Sequence, residues 1–460
     1  MIAKPAPKQK QGHLLYPDLL DHLNPKDPLL VLAMNLPWEE FEKEFTPLYA
    51  VKGRPAKPVR LMVGLLLLKQ IEHLSDERVV EAWVRNPYYQ AFCGMKQFQW
   101  HFPCDPSDLV HFRKRIGEKG IERIFQASVA LHGKDSLESD VVVDTTVQEK
   151  NITFPTDTKL RMSVIKRCWK VAEKEQVVLR RSYRREMKAF MRTIRFSKSR
   201  KETKKVSSAV RRVKTIANSL LRELSRKLPA SRYEEKKEEL CRWSKAVNQQ
   251  RTDKDKVYSL HEPEVSCICK GKAHKKYEFG SKAAVAMTKG SGVIVGVKSF
   301  TGNPYDGDTL QCILGQIKDI RGREARHAFC DRGFRGRKQI GKTSIEIPDN
   351  GMSKATAYQK QKARKNFGRR SAIEPVIGHL KSDFRLARNY LKGVIGDTIN
   401  LLLSAAAFNL RKWMRATAHL LSYFLLIVYN QLLVSKAAHY RLGLRLGTRL
   451  TGFVRDNCLF

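Results

Sequence analysis

The sequence is poor in the features that mark secreted, membrane-spanning or repeat proteins. Its nine cysteines in 460 residues are odd in number and irregular in spacing, which excludes a disulfide framework and fits a reducing cytoplasm. Residues 1–12 are polar and rich in lysine and proline, unlike a signal peptide. The apolar run at 420–434 is shorter than the ~20 residues a spanning helix needs, so it is expected to be a buried terminal helix, with no membrane partner. There is no internal repeat and no low-complexity domain. Acid is scarce too. The 46 Asp+Glu face 87 Lys+Arg, a formal net charge of +41. Basic residues occur in every third of the chain, which points to a polyanionic partner, nucleic acid, and not to a terminal membrane-binding tail.

Hydrophobic periodicity divides what is there. Residues 1–135 read as a helical module for DNA binding or dimerisation. Ser75 is placed as an N-cap, and Leu109, Val110 and Phe112 alternate with the basic Arg113, Lys114 and Arg115, the candidate DNA-contacting residues. The β-branched run Val141-Val-Val-Asp144 predicts a buried strand with an aspartate near its end, inside a segment 136–156. Residues 157–256 turn helical and dense in Lys, Arg and Glu. They form a basic insertion, either a solvated hairpin or a clamp on backbone phosphates. In the segment 257–415, a hairpin is expected over 277–287 and 293–300, with a loop at 301–308 and a helix at 309–320. A strand then reaches Asp331, a short strand follows at 344–348, and helices carry Glu374 and residues 398–414. Residues 416–460 would be a C-terminal helix and a basic tail. Cys267 and Cys269, with His261 and His274 nearby, lack standard zinc spacing and read as free thiols on or beside a strand.

Three carboxylates stand out: Asp144 and Asp331, each ending a strand, and Glu374. Arg370 and Lys381 share the helical face of Glu374 and are candidates to neutralise phosphate charge. Ser371 with Glu374 also fits a capping box, a purely structural use of that glutamate. Carboxylates gathered from separate elements repel unless a cation lies between them. Two aspartates and a glutamate suit Mg²⁺ or Mn²⁺ as metal ligands, holding two ions that would activate one oxygen and stabilise another during in-line displacement at phosphorus.

These motifs resemble the DDE transposases of bacterial insertion sequences, in the insertion-sequence five and four superfamily. The likeness rests on Asp144-Thr145-Thr146, on Asp331-Arg-Gly333-Phe334, and on a third motif of arginine, three residues, glutamate, six residues and lysine, met by Arg370, Glu374 and Lys381. Phe367 stands where that motif has tyrosine. The likeness extends over about residues 35 to 415, through Gly53-Arg-Pro-Ala, Leu74-Ser-Asp-Glu and residues 151–157. It implies an α/β fold, a ribonuclease-H-like mixed five-stranded sheet with flanking helices, behind an all-helical N-terminal domain and interrupted by the basic helical insertion. It also implies metal-dependent cleavage and strand transfer of an insertion sequence. The partners would be double-stranded DNA, as terminal inverted repeats and target, and a second copy of the chain in a synaptic complex at the nucleoid. The alternative is a catalytically silent, decayed or co-opted DNA-binding or scaffold protein.

Overall fold

The helical beginning of the chain and its mixed sheet fall into separate units in the computed structural model, which describes residues 18–50, 53, 55–196, 203–250, 252–269, 276–348, 356–358, 361 and 367–418. One compact unit comprises Met1–Phe112, Ala130–His132 and Ala407–Phe460; the other comprises Arg113–Val129 and Gly133–Ala406. The expected helix at 420–434, the tail after it and His274 lie outside the described residues.

In the first unit, helices occupy Pro28–Asn35, Trp38–Phe45, Val59–Ile71, Asp76–Arg85 and Pro87–Phe92. Val59–Ile71 is apolar nearly all round, and every residue in it but Arg60 is buried, as a central helix requires. Ser75 Oγ accepts from Arg78 N at 3.2 Å, the expected cap. Asn86 ends one helix and caps the next by accepting from Tyr88 N at 2.9 Å, with Pro87 in the first helical position. In the segment Pro106–Ala130, whose helical geometry breaks at Gly117, one expected DNA contact is turned inward. Leu109, Phe112 and Ile116 form its buried stripe, and Arg113, four residues after Leu109, falls on the same face and is buried. Lys114 and Arg115 remain exposed.

In the second unit, β1 (Asp140–Glu149), β2 (Ser266–Cys269), β3 (Tyr277–Thr288), β4 (Ile294–Phe300), β5 (His327–Phe329), β6 (Gln339–Ile340) and β7 (Thr343–Glu346) form one mixed sheet. Its order is β2-β3-β1-β5-β7-β6, with β4 also on β3. The sheet thus has seven strands among the described residues against the five expected, and β2 and β6 are the short ones that periodicity does not register. β3 is antiparallel to β1 and β4, whereas β5 is parallel to β1 and β7. β1 also runs further than expected. It stays paired to β3 from Val141↔Thr288 to Glu149↔Gly280, so Asp144 lies within the strand. Gly280 is required there, since a Cβ would meet Gln148 O at 1.9 Å.

Past β1, Lys150 is buried with its ammonium 3.0 Å from both Glu262 Oε2 and Asp397 Oδ1. Burial pushes the Asp397 carboxyl up, and Lys150, Asn389 and Gln148 oppose that shift. The insertion is no solvated hairpin. Helices Asp157–Lys174, Arg184–Phe196, Thr203–Lys227 and Ala230–Asn248 enclose a core that includes Val164, Ile216, Leu220 and Trp243. Its two ends are clasped together, because Asp157 Oδ1 accepts from Gln249 Nε2 at 2.8 Å and lies 3.5 Å from Lys256 Nζ. Among the described residues one helix, Gly393–Ala418, is long and apolar enough to cross a membrane, and 78% of its apolar window is buried inside the protein, as in a core helix.

Candidate active site

β1 and β5 lead to two of the three candidate carboxylates. The strands are parallel and pair Val142 with Phe329; Asp144 lies two residues further on within β1, and Asp331 two residues past the end of β5, where it caps the 3₁₀ turn Arg332–Phe334. Pairing to β5 stops at Phe329 while β1 continues, which opens a gap in the sheet beside Asp144. Thr145 N donates to Asp144 Oδ1 at 2.7 Å, and Gly333 N donates to Asp331 Oδ1 at 2.8 Å. These bonds orient both carboxylates. Cys330 reports on their surroundings. Burial raises its thiol pKa most, the Asp331 and Asp144 carboxylates raise it further, and the Arg370 guanidinium opposes them. Arg370 is therefore close enough to act on the same point as the two aspartates.

Glu374 is placed differently. Its side chain is 64% exposed, and Oε1 lies 3.9 Å from Arg370 Nη2. Arg370 sits in a 3₁₀ turn, Arg370–Ala372, and the α-helix begins only at Ile373. Pro375 explains this start. It has no N–H for the carbonyl of Ser371, and its ring would clash with that carbonyl in a continuous helix. The single helical face expected for 370, 374 and 381 is thus broken before Glu374. The capping box is absent as well, because Ala372 is the N-cap and no side chain caps the helix. Lys381 Nζ lies 3.9 Å from Oε1 of buried Glu278. Among the described residues no three His, Cys, Asp or Glu side chains are grouped closely enough to hold a metal ion. Asp144, Asp331 and Arg370 thus share Cys330 as a neighbour they act on, while the recorded partner of Glu374 is Arg370.

Phe367, at the tyrosine position, packs edge-on against Phe329 with ring centroids 5.6 Å apart. Phe329 also has Lys289 over its ring, with Nζ 3.6 Å from the centroid, and the His327 ring 6.3 Å away. The Phe367 ring thus docks the third motif onto the strand that leads to Asp331, a use that needs no hydroxyl. Arg369 Nη1 adds a bond to Gly290 O at 2.8 Å. For the cysteine cluster, Cys267 and Cys269 lie on β2, and His261 Nδ1 is 3.1 Å from Ser259 Oγ.

Sequence reasoning missed Asp306. It opens the helix Asp306–Arg321, three residues before the expected start, within a stretch read as loop. Its Oδ1 accepts from Thr145 Oγ1 at 2.9 Å and from Lys282 Nζ at 2.9 Å. A Cβ built on Gly333 would be 3.0 Å from both Asp306 Oδ2 and Asp331 Oδ1, so both carboxylates border this one glycine. The available signal was the acidic pair Asp306 and Asp308 just ahead of the apolar stripe at 310, 313, 314 and 317, the make-up of a first helical turn.

Residues 17–115 match a family described as a transposase domain (DUF772), and residues 244–410 match one described as a transposase DDE domain. The second match contains Asp331 and Glu374, and Asp144 lies between the two matches. Over 194 residues the chain is 45% identical to an uncharacterized protein, ORF8 in the nfe locus of Rhizobium meliloti, a stretch that is 40% of this chain and 93% of that protein. No solved structure matches the chain.

Proposed function

The chain belongs to the DDE transposases of insertion sequences, and from that we propose that it cleaves the ends of its own element and joins them to target DNA, with Asp144, Asp331 and Glu374 as metal ligands on a ribonuclease-H-like sheet. The observation that carries this reading is that Asp144, in β1, and Asp331, just past the end of the parallel neighbour β5, both act on the buried Cys330. Two carboxylates this close, each with one oxygen held by a backbone N–H, are hard donors that suit Mg²⁺ or Mn²⁺. Bound there, two ions would supply charge neutralisation and an activated oxygen. Glu374 completes the set only if the turn at Arg370–Ala372 moves, and Arg370, which lies near both Glu374 and the aspartates, is the residue that couples them.

Arg370 balances the charge of the scissile phosphate. In cleavage, the oxygen of water bonds to phosphorus, the bond to the 3′-oxygen breaks, and that oxygen takes a proton. In joining, the freed 3′-oxygen attacks a target phosphorus and releases the target's own 3′-oxygen. Lys114 and Arg115 serve as backbone contacts, and a second copy of the chain holds the other element end. The exposure of Glu374 favours a second reading, a DNA-binding protein without catalysis. A supercoiled plasmid bearing the element's ends separates the two. Mg²⁺-dependent nicking and joining, lost in Asp144→Asn and Asp331→Asn, is expected. Salt-dependent binding with no cleavage, or variants that cut like wild type, would overturn the catalytic reading.

A further inference from the structure

The insertion, residues 157–256, carries 32 Lys+Arg against 12 Asp+Glu, so its cations far outnumber the acids available to pair with them. Some are paired, Arg181 with Glu186 among them, and one concave surface gathers several cations around a single acid. Arg167 pairs with Glu239, Arg184 with Glu173, Arg212 with Glu186, and Arg232 with Glu235. A groove of about 1640 Å³ lies between the helices Thr203–Lys227 and Ala230–Asn248 and the segment around 180–183. Its lining contains Arg180, Arg181, Arg222, Arg226 and Lys227 against one carboxylate, Glu223. Glu223 is already used, since its Oε1 accepts from Arg180 N at 2.6 Å and from Lys227 Nζ at 2.7 Å. Arg222 Nε and Arg226 Nε donate to carbonyls of their own helix, and neither side chain meets a carboxylate among the described residues. These two arginines, four apart, stack on one face of that helix. A concave basic surface focuses its field, which a convex solvated face does not.

We propose that this groove binds the phosphate backbone of duplex DNA. The proposal rests on the reading of the chain as a DNA-acting enzyme and adds a second contact surface to it. The test uses full-length protein, a fluorescent duplex and anisotropy across a salt series. The triple variant Arg180→Ala, Arg222→Ala, Arg226→Ala is compared with Lys166→Ala, Lys170→Ala, Lys188→Ala, which removes the same charge from exposed positions outside the groove. The groove variant is expected to bind at least about tenfold more weakly, with a salt slope lower by about two to three, while the control stays near wild type. Equal losses in both variants, or a loss in neither, would overturn the proposal. Failure of wild type to bind any duplex would sink the functional reading itself. A readout that needs no variant is the exposed Cys241, which lines the groove. Duplex should slow its alkylation severalfold relative to Cys312, and unchanged labelling counts against the groove.

A separate observation concerns Asp306. Its bonds to Thr145 and Lys282 and its approach to Gly333 tie the strand of Asp144 to the turn of Asp331. We infer that Asp306 is a positioning residue for the two aspartates, acting through the Thr145 hydroxyl. This accounts for a hydroxyl residue directly after Asp144. Thr145→Ser keeps the hydroxyl and should match wild type in joining and in the rise of Tm on adding Mn²⁺. Thr145→Val and Asp306→Asn should both lose at least tenfold in joining, and Thr145→Val should need severalfold more Mn²⁺ for the same rise in Tm. A Thr145→Val protein with wild-type joining and Mn²⁺ response would refute the inference while leaving the roles of Asp144 and Asp331 intact.

Discussion

Asp144 sits within β1 and Asp331 caps the 3₁₀ turn just past β5, whereas Glu374 lies in the first turn of a helix and is exposed. A paired strand offers Asp144 a single position, and backbone N–H groups at 2.7 and 2.8 Å orient the two aspartates. The helix start at Ile373, with Pro375 in its first turn, has no such strand pairing, and among the described residues Glu374 has Arg370 as its ion-pair partner, at 3.9 Å. In the proposed site the contrast sets two carboxylates with backbone N–H bonds against a third that has none recorded, so that its recruitment becomes a testable step. Preset ligands avoid a reorganisation cost at the moment of reaction, while a recruited one ties chemistry to the arrival of the correct DNA.

Experiments can break or sharpen that contrast. The largest effect is expected from the buried lysine that anchors the far end of β1. Lys150→Met leaves Glu262 and Asp397 buried without their cation and should cost about 3–5 kcal/mol in urea unfolding. A loss below about 1 kcal/mol would mean that the strand is held by other contacts. Next, Asp331→Asn should lower end cleavage by about a hundred- to a thousandfold, the scale of losing one preorganised electrostatic contact. Its Tm without metal should be unchanged, and the rise of Tm with Mn²⁺ should vanish. Glu374→Gln should also depress cleavage but keep most of the Mn²⁺-induced rise in DNA-free protein. Equal Mn²⁺ responses in Asp331→Asn and Glu374→Gln would erase the distinction between the aspartates and Glu374. The smallest change is expected from Phe367→Tyr. Its ring is only partly buried, so stability should move by no more than about 0.5 kcal/mol and cleavage should persist.

The sequence makes much of this architecture legible where local signals agree with tertiary demand. Val141-Val-Val has no helical period and becomes a strand, and the hairpin over β3 and β4 follows from its β-branched residues and glycine turn. What escaped has identifiable causes. The length of β1 beyond Asp144 is hidden because Thr145, Thr146 and Gln148 are polar yet buried, their hydroxyl and amide groups meeting partners distant in sequence, such as Asp306 and Asp397. Asp306 was hidden by the Gly, Asn and Pro residues before it, which read as loop. Arg113 reads as a surface cation because its charge outweighs its place in the 109, 112, 116 stripe. The insertion's groove required the bundle to be folded, since Arg180 and Arg222 come together only in three dimensions.

The clasp at Asp157 has a consequence for how such a chain can change over time. With Gln249 and Lys256 both drawn to Asp157, the polypeptide leaves β1 and returns toward β2 at nearly one point, after a four-helix excursion with its own core. A segment whose ends meet imposes little closure entropy on its host, whatever its length. The bundle's length therefore weighs little on the closure of the chain around the sheet, and changes in that length are expected to leave the register of β1 with β3 intact.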